Sequence, residues 1–318
     1  MSTQAVTLTL NPAIDQTIRV DRLCPGQVHR AQASREDAGG KGINVAACLA
    51  DWGVATTALG VLGADNAHVF RTLFAARGIH DDCLRIPGHT RTNIKLVAQD
   101  TGDTTDINLP GLPLDGSVLD AVATRLAELL RPGLPVVLSG SLPAGLPDDA
   151  WARLQQQASA AGARVLLDTS GAALAAALQA PAGALPHAIK PNRHELEAWT
   201  GTALTDRAAL RQAAHALIER GVAQVVVSLG TDGALFVDRT GALLARPPML
   251  ATGSSVGAGD AMVAGMAAAL LEPAATLAES ARLATAFSMS RLHSGDARRL
   301  DATQVRAWKA DVLIEPLD

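Results

Sequence analysis

Residues 135–168 read PVVLSGSLPAGLPDDAWARLQQQASAAGARVLLD. Pro135–Ser139 is a short β-type run that stops at a polar, glycine-bearing turn, Ser139-Gly-Ser-Leu-Pro143. Asp148–Ala160 then carries apolar residues at helical spacing, and Arg164–Asp168 is a second β-type run. Strand, turn, helix and strand in that order make one βαβ unit, and a repeated βαβ rhythm builds a parallel sheet. The rhythm extends both ways along the chain. Strands are expected at Val6–Leu10, Thr56–Val61, His187–Lys190 and Gln224–Ser228. Helical spacing marks Asn66–Arg77, Asp115–Leu130 and Arg207–Arg220. Further strands end in Asn11-Pro-Ala, Lys190-Pro-Asn and Ser228-Leu-Gly-Thr-Asp-Gly233, and such turns at the carboxyl ends of parallel strands converge on one ligand crevice.

Two regions break the rhythm. Gln16–Asp37 and residues 88–109 are extended and polar, with no crossover helix, and Asp100-Thr-Gly-Asp103 is a hairpin turn signal between Thr92–Gln99 and Thr104–Leu109. They are expected to pair as a small antiparallel sheet covering the crevice. No internal repeat, linker or second core interrupts the 318 residues, so one α/β domain over 1–318, with lid segments about 16–37 and 88–109, is expected.

Composition narrows the function. Hydrophobic residues at 48% and charged residues at 18% describe a folded protein, and a net charge of −4 leaves no basic footprint for nucleic acid. Cys24, Cys48 and Cys83 are odd in number and in no CxxC pattern, which argues against a disulfide framework or zinc site and for a reducing compartment. The scattered His187 and His194 read as structural. Met1–Gln4 leads directly into a strand rather than a signal peptide, and the apolar run Ala261–Leu271 is too short for a membrane span. A cytoplasmic protein with no membrane association is expected.

Two glycine motifs carry the candidate chemistry. Gly257-Ala-Gly-Asp260 follows a polar run, Thr252-Gly-Ser-Ser255, and opens an Ala/Met/Val-rich helix. Free amides at a helix N-terminus suit a phosphate, and a carboxylate there suits removal of a proton from an attacking hydroxyl. Alone, the run reads more readily as an ordinary glycine turn with Asp260 as a first-turn dipole partner. Gly39-Gly-Lys-Gly-Ile-Asn44 leads into a helix at Val45–Trp52 and is neither a Walker A loop nor GxGxxG. Asp15 either grips sugar hydroxyls or caps a turn. Arg91 and Lys95 either meet a substrate phosphate or are surface charges. Asn192 and Glu195, three apart at a helix start, either hold a hydrated Mg²⁺ or form a capping box.

Asn11-Pro-Ala-Ile-Asp15, Gly39–Asn44, Ser139–Pro143, Lys190-Pro-Asn-Arg-His-Glu195, Ser228–Gly233 and Val256–Asp260, in this order across nearly the whole chain, resemble the ribokinase-like (PfkB) carbohydrate kinases. The resemblance implies a three-layer α/β/α fold with a β-sheet lid that in family members often forms a dimer interface. It implies ATP and Mg²⁺ with a sugar phosphate as acceptor. It makes Asp260 the base and Gly257, Ala258 and Gly259 the amide pocket for the transferring phosphoryl group. Asp15, Gly39, Gly40, Lys41, Asn44 and Ser139 fall to the sugar site, joined by Arg91 and Lys95. Lys190, Asn192, Ser228, Gly230 and Gly233, with Gly257 and Gly259, fall to ATP, and Asn192 and Glu195 to the metal through water. Ser288–Ala297 keeps the layout that borders adenine in family members. The expected acceptor is fructose 1-phosphate, transferred at its 6-hydroxyl, with tagatose 6-phosphate or fructose 6-phosphate as alternatives. A non-catalytic sugar-phosphate sensor is the reading from another class. A nicotinamide dehydrogenase is disfavoured because no GxGxxG follows Val6–Leu10.

Overall fold

A computed structural model describes residues 3–248, 257–272, 275–294 and 299–317. The chain begins with β1 (Ala5–Thr9), β2 (Ala13–Val20), β3 (Ala33–Gly39), α1 (Lys41–Trp52), β4 (Thr56–Gly63) and α2 (His68–Arg77). The short β5 (His80–Asp81) and β6 (Leu84–Ile86) precede β7 (Thr92–Ala98), β8 (Thr104–Asn108) and α3 (Gly116–Leu129). The βαβ unit of the opening stretch follows as β9 (Pro135–Ser139), α4 (Ala150–Ala160) and β10 (Arg164–Asp168). Beyond it lie α5 (Gly171–Leu178), β11 (Ala188–Ile189), α6 (Arg193–Thr200), α7 (Arg207–Arg220) and β12 (Gln224–Ser228). The C-terminal part comprises β13 (Ala234–Asp238), β14 (Gly241–Arg246), α8 (Ala258–Ala269), α9 (Leu277–His293), α10 (Ala302–Asp311) and β15 (Leu313–Leu317).

The central sheet runs β15-β14-β13-β12-β11-β10-β9-β1-β4-β5, with β6 also on β4. From β12 to β5 the pairings are parallel; β13, β14 and β15 extend the sheet antiparallel. These last three strands are absent from the strands expected from sequence.

Alternation along the strands builds the layers, because successive side chains leave opposite faces. Val136 and Leu138, Val165 and Leu167, and Val225 and Val227 join one buried cluster with Leu119, Leu126, Trp151, Leu154, Leu210 and Leu217 of α3, α4 and α7. The residues between them, Val137, Leu166 and Val226, join the opposite cluster with Val45, Leu49, Val263, Met266 and Phe287 of α1, α8 and α9. Both faces of the strands are therefore covered, and the result is an α/β/α sandwich with a mainly parallel sheet.

The lid is a separate sheet of order β3-β2-β7-β8. It begins at Ala13 rather than Gln16, and it is mixed rather than antiparallel. Each hairpin, β2–β3 and β7–β8, is antiparallel within itself, but β2 pairs β7 in parallel. The cause lies at the root: Ile14 N donates to Arg91 O, so the two outgoing strands leave the same place in the same direction. Ile14, at the root of the lid on the face opposite Asp15, is buried with Ile43, Phe70 and Phe74, which anchors the lid to α1 and α2.

Boundaries shift elsewhere. The strand expected at His187–Lys190 is the shorter β11, and α1 starts inside the glycine motif at Lys41 rather than at Val45. Among the described residues, no helix is long and apolar enough to cross a membrane. Thr252–Ser255, Val256 and residues 295–297 of the adenine-bordering segment lie outside the described residues.

Candidate active site

Gly257 is the N-cap of α8 at φ 83°, a left-handed conformation that glycine adopts without a Cβ penalty. The first amide bonded within the helix is that of Ala261, which donates to Gly257 O at 2.9 Å. The amides of Ala258, Gly259 and Asp260 therefore have no partner within the helix, as at any helix N-terminus. Asp260 is the acid of this first turn and is buried.

The second motif is built in the same way. β3 ends at Gly39, Gly40 caps α1 at φ 109°, and Lys41 opens the helix. One turn in, Asn44 Nδ2 donates to Asp260 Oδ2 at 2.8 Å, joining residues 216 apart in sequence. Gly39 is glycine because Asp15 fills its side-chain space: a Cβ there would lie 2.7 Å from Asp15 Oδ2. Asn93 Nδ2 of β7 donates to Asp15 Oδ1 at 3.2 Å, so three lid strands meet at this carboxylate.

Asp168, at the carboxyl end of β10 and only 2% exposed, is the centre of charge that sequence reasoning missed. Its Oδ1 faces Lys41 Nζ at 3.2 Å and Lys190 Nζ at 3.5 Å. Burial acts to lower the Lys41 pKa, but Asp168, Asp260 and Glu195 outweigh it and hold the ammonium above its ordinary value. For Asp260, burial and then Asp168 raise the pKa to about 6, against the hydrogen bond from Asn44 and the charges of Lys41 and Lys190. A carboxylate poised there is matched to proton abstraction near neutral pH. The missed signal was positional: Asp168 ends a core strand at a Thr169-Ser170-Gly171 turn, as Ser139 and Ser228 end theirs.

Neighbouring strands β10, β9 and β1 end in Asp168, Ser139 and Thr9. Asp168 Oδ2, Ser139 Oγ and Thr9 Oγ1 are buried without a hydrogen-bond partner. Polar atoms left unsatisfied in the interior are uncommon, and a row of them at strand ends is what a polar ligand would complete.

At the loops expected to hold ATP, Asn192 bridges Ser228, and Ser228 N donates to Pro191 O at 3.0 Å, which puts the two loops side by side. Gly230 has φ 63° and open space around it, whereas a Cβ on Gly233 would meet Ala245 O at 2.1 Å. Gly233 is thus explained by the approach of β14. Asn192 and Glu195 form the capping box, Asn192 Oδ1 accepting from Glu195 N and Glu195 Oε2 from Asn192 N, both at 2.9 Å. The box uses Oε2 and leaves Oε1 of the same carboxylate, so it is compatible with an outer-sphere cation. Among the described residues, no group of three or more His, Cys, Asp or Glu forms a ready metal cage.

Arg91 and Lys95 already have partners at the root of the lid and within it. Arg91 donates to the carbonyls of Pro12, Leu109 and Asn11 at 3.3, 3.4 and 3.3 Å, at the root of the lid, and burial lowers its pKa. Lys95 pairs with Asp106 across the β7–β8 hairpin at 3.2 Å. Arg291, near the end of α9, was not singled out from sequence, yet it lies against Gly257: a Cβ there would be 2.9 Å from Arg291 Nε.

Comparison with known proteins follows the same lines. The model of the pfkB family carbohydrate kinases matches residues 8–302. A 1-phosphofructokinase of Xanthomonas campestris pv. campestris is 68% identical over 314 residues, covering 99% of each chain. A 1-phosphofructokinase of Escherichia coli K12 is 36% identical over 318 residues and the full length of both. Among solved structures, the tetrameric inhibited form of phosphofructokinase-2 from Escherichia coli superposes with a TM-score of 0.89 at 30% identity, over 97% of this chain and 99% of that one.

Proposed function

The chain belongs to the pfkB family of carbohydrate kinases and is a sugar-phosphate kinase, and from that premise we propose that it transfers the γ-phosphoryl group of ATP to the 6-hydroxyl of fructose 1-phosphate. The observation that carries the transfer step is the Asn44–Asp260 hydrogen bond, because it fuses the two glycine motifs into one site. Asp260 takes the proton of the attacking hydroxyl, and the amides of Gly257, Ala258 and Gly259 receive the charge that develops on the transferring group. Phosphoryl transfer asks little covalent chemistry of a protein, so fixed donors and exact placement supply most of the rate.

Asp15, Gly39, Gly40, Asn44 and Ser139 line the sugar site, and Lys41 meets the phosphate already on the sugar. Arg91 and Lys95 close this side from the lid. Lys190, Asn192, Ser228, Gly230 and Gly233, with Gly257 and Gly259, hold ATP. Asn192 and Glu195 hold a hydrated Mg²⁺, which when bound offsets phosphate charge. The fructose 1-phosphate assignment rests on the likeness to proteins named 1-phosphofructokinase.

An ADP-release assay with fructose 1-phosphate, fructose 6-phosphate, tagatose 6-phosphate and ribose in parallel tests this reading. Fructose 1-phosphate should give the highest kcat/KM. Preference for ribose removes the role given to Lys41, and no turnover with any acceptor favours the sensor.

One domain over the whole chain and a cytoplasmic setting complete the reading. Two copies pair through the outer face of the lid, where Ile18, Ile94, Leu96 and Ile107 alternate with the polar residues of the crevice side and Ile107 is 45% exposed. Sedimentation at assay concentration should show a dimer or larger species; a monomer overturns this pairing.

A further inference from the structure

The glycine turn 257–259 is flanked by two cations. A Cβ on Gly259 would lie 3.4 Å from Lys190 Nζ. On the other side, a Cβ on Gly257 would lie 2.9 Å from Arg291 Nε, 3.4 Å from Nη2 and 3.6 Å from Cζ. The edge of the guanidinium therefore occupies the space that a side chain at Gly257 would take. Lys190 is expected in any reading of the nucleotide site; Arg291 is not, because it comes from the last turn of α9 and belongs to none of the glycine motifs.

Arg291 is also steered into place. Its Nη1 donates to Ser294 Oγ at 2.9 Å, and that hydroxyl donates back to Arg291 O at 2.9 Å, closing a loop at the helix end. A cation is favoured there by the helix dipole. The same side chain lines a cleft with Asn44 and Cys48 of α1, and Asn44 is the residue bonded to Asp260. Arg291 thus lies beside Gly257 of the amide pocket and shares a cleft with Asn44, the residue that holds the base.

We infer that Arg291 is a positioning residue for phosphoryl transfer: its guanidinium, lodged beside Gly257, adds a fixed positive charge behind the amide pocket. The inference rests on the reading of residues 257–260 as the transfer site. A fixed charge close to an amide pocket matters most when charge moves onto the transferring group, and matters little for ground-state binding. The defect on removing it therefore falls on kcat. A purely structural role for Arg291 would instead disturb the pocket in every state and weaken nucleotide binding too.

The test compares wild type, Arg291→Met, Arg291→Lys and Asp260→Asn. Arg291→Met is expected to lower kcat about 10- to 100-fold, with KM for both substrates and the Kd for ADP within about threefold. Arg291→Lys should recover part of the loss, and added guanidinium ion should raise the turnover of Arg291→Met in a saturable way. Turnover of Arg291→Met within threefold of wild type overturns the inference, and so does a loss of kcat matched by an equal loss of ADP affinity without guanidinium rescue. If Arg291→Met does not fold, the decision falls to Arg291→Lys, whose kcat must drop while its ADP affinity holds. Asp260→Asn separates the two levels. Near-normal turnover of that variant sinks the transfer site itself, whereas its inactivity beside an unaffected Arg291→Met sinks only the role of Arg291.

Discussion

Asp260 is subject to opposing effects, and their magnitudes decide its protonation. The N-terminus of α8 favours an anion by about 0.3–1 kcal/mol. Burial, reinforced by Asp168, lifts its pKa from the ordinary 3.8 to about 6, a penalty on the charged form on the order of 3 kcal/mol. Burial prevails over the dipole, which is the condition a base needs to be reactive yet ionised at neutral pH. Because the ionised form is the active one, kcat/KM should fall below an apparent pKa near 6. The linkage to stability has the opposite sense. A folded pKa above the unfolded value stabilises the fold at acid pH, and that contribution is lost as pH rises through about 6. Asp260→Asn, always neutral and still able to accept from Asn44, should lose several orders of magnitude in kcat. It should also be more stable than wild type at pH 8, by up to about 3 kcal/mol, with a much smaller gap at pH 4. Thermal unfolding at both pH values reads the gap, and equal gaps at pH 4 and pH 8 would refute the buried-charge account.

At the scale of elements, what sequence could show depended on whether the signal was local. β9, α4 and β10 fall within two residues of their expected limits, since period-2 and period-3.6 patterns are written into the segments themselves. Gly257 and Gly39–Gly40 were legible for the same reason, as glycines at helix starts. Asp168 was not, because its partners Lys41 and Lys190 are supplied by other elements, and the parallel β2–β7 pairing was not, because the root that aligns them joins residues 14 and 91. Arg291 is the extreme case, visible only once α9 packs on α8. That packing depends on Gly265, where a Cβ would lie 2.6 Å from Ala284 Cα. Gly265→Ala gains helix propensity of roughly 1 kcal/mol, but the backbone of α9 must move away. Overpacking should prevail, with a net loss of about 1–3 kcal/mol in urea unfolding. Because α9 carries Arg291 to Gly257, kcat should fall as well. A variant as stable and as active as wild type would show that the two helices can separate freely.

At the scale of the molecule, Arg91 joins the lid to the sandwich, beside the apolar anchor that Ile14 makes with Ile43, Phe70 and Phe74. Its guanidinium reaches the carbonyls of Asn11 and Pro12, where the chain leaves the sandwich for β2, and of Leu109, where it returns from β8. It therefore ties the outgoing and returning legs of the lid at one point, whatever it also does for a substrate. A kinase needs its lid closed to keep water from competing with the sugar hydroxyl for the phosphoryl group. Hydrogen bonds from a charged donor contribute about 1.5–3 kcal/mol each at good geometry, and less at these longer distances. Loss of all three should shift lid closure by at least about 1.4 kcal/mol, a factor of roughly ten. Arg91→Ala is thus expected to raise ADP release in the absence of sugar about tenfold relative to its productive turnover, and to raise KM for the sugar phosphate. If Arg91 serves only to grip the substrate phosphate, KM rises and sugar-independent ADP release stays at the wild-type level. Measuring ADP release with and without acceptor on one preparation separates the two roles, and it decides whether the cation read from sequence as a phosphate ligand works chiefly as the hinge pin of the lid.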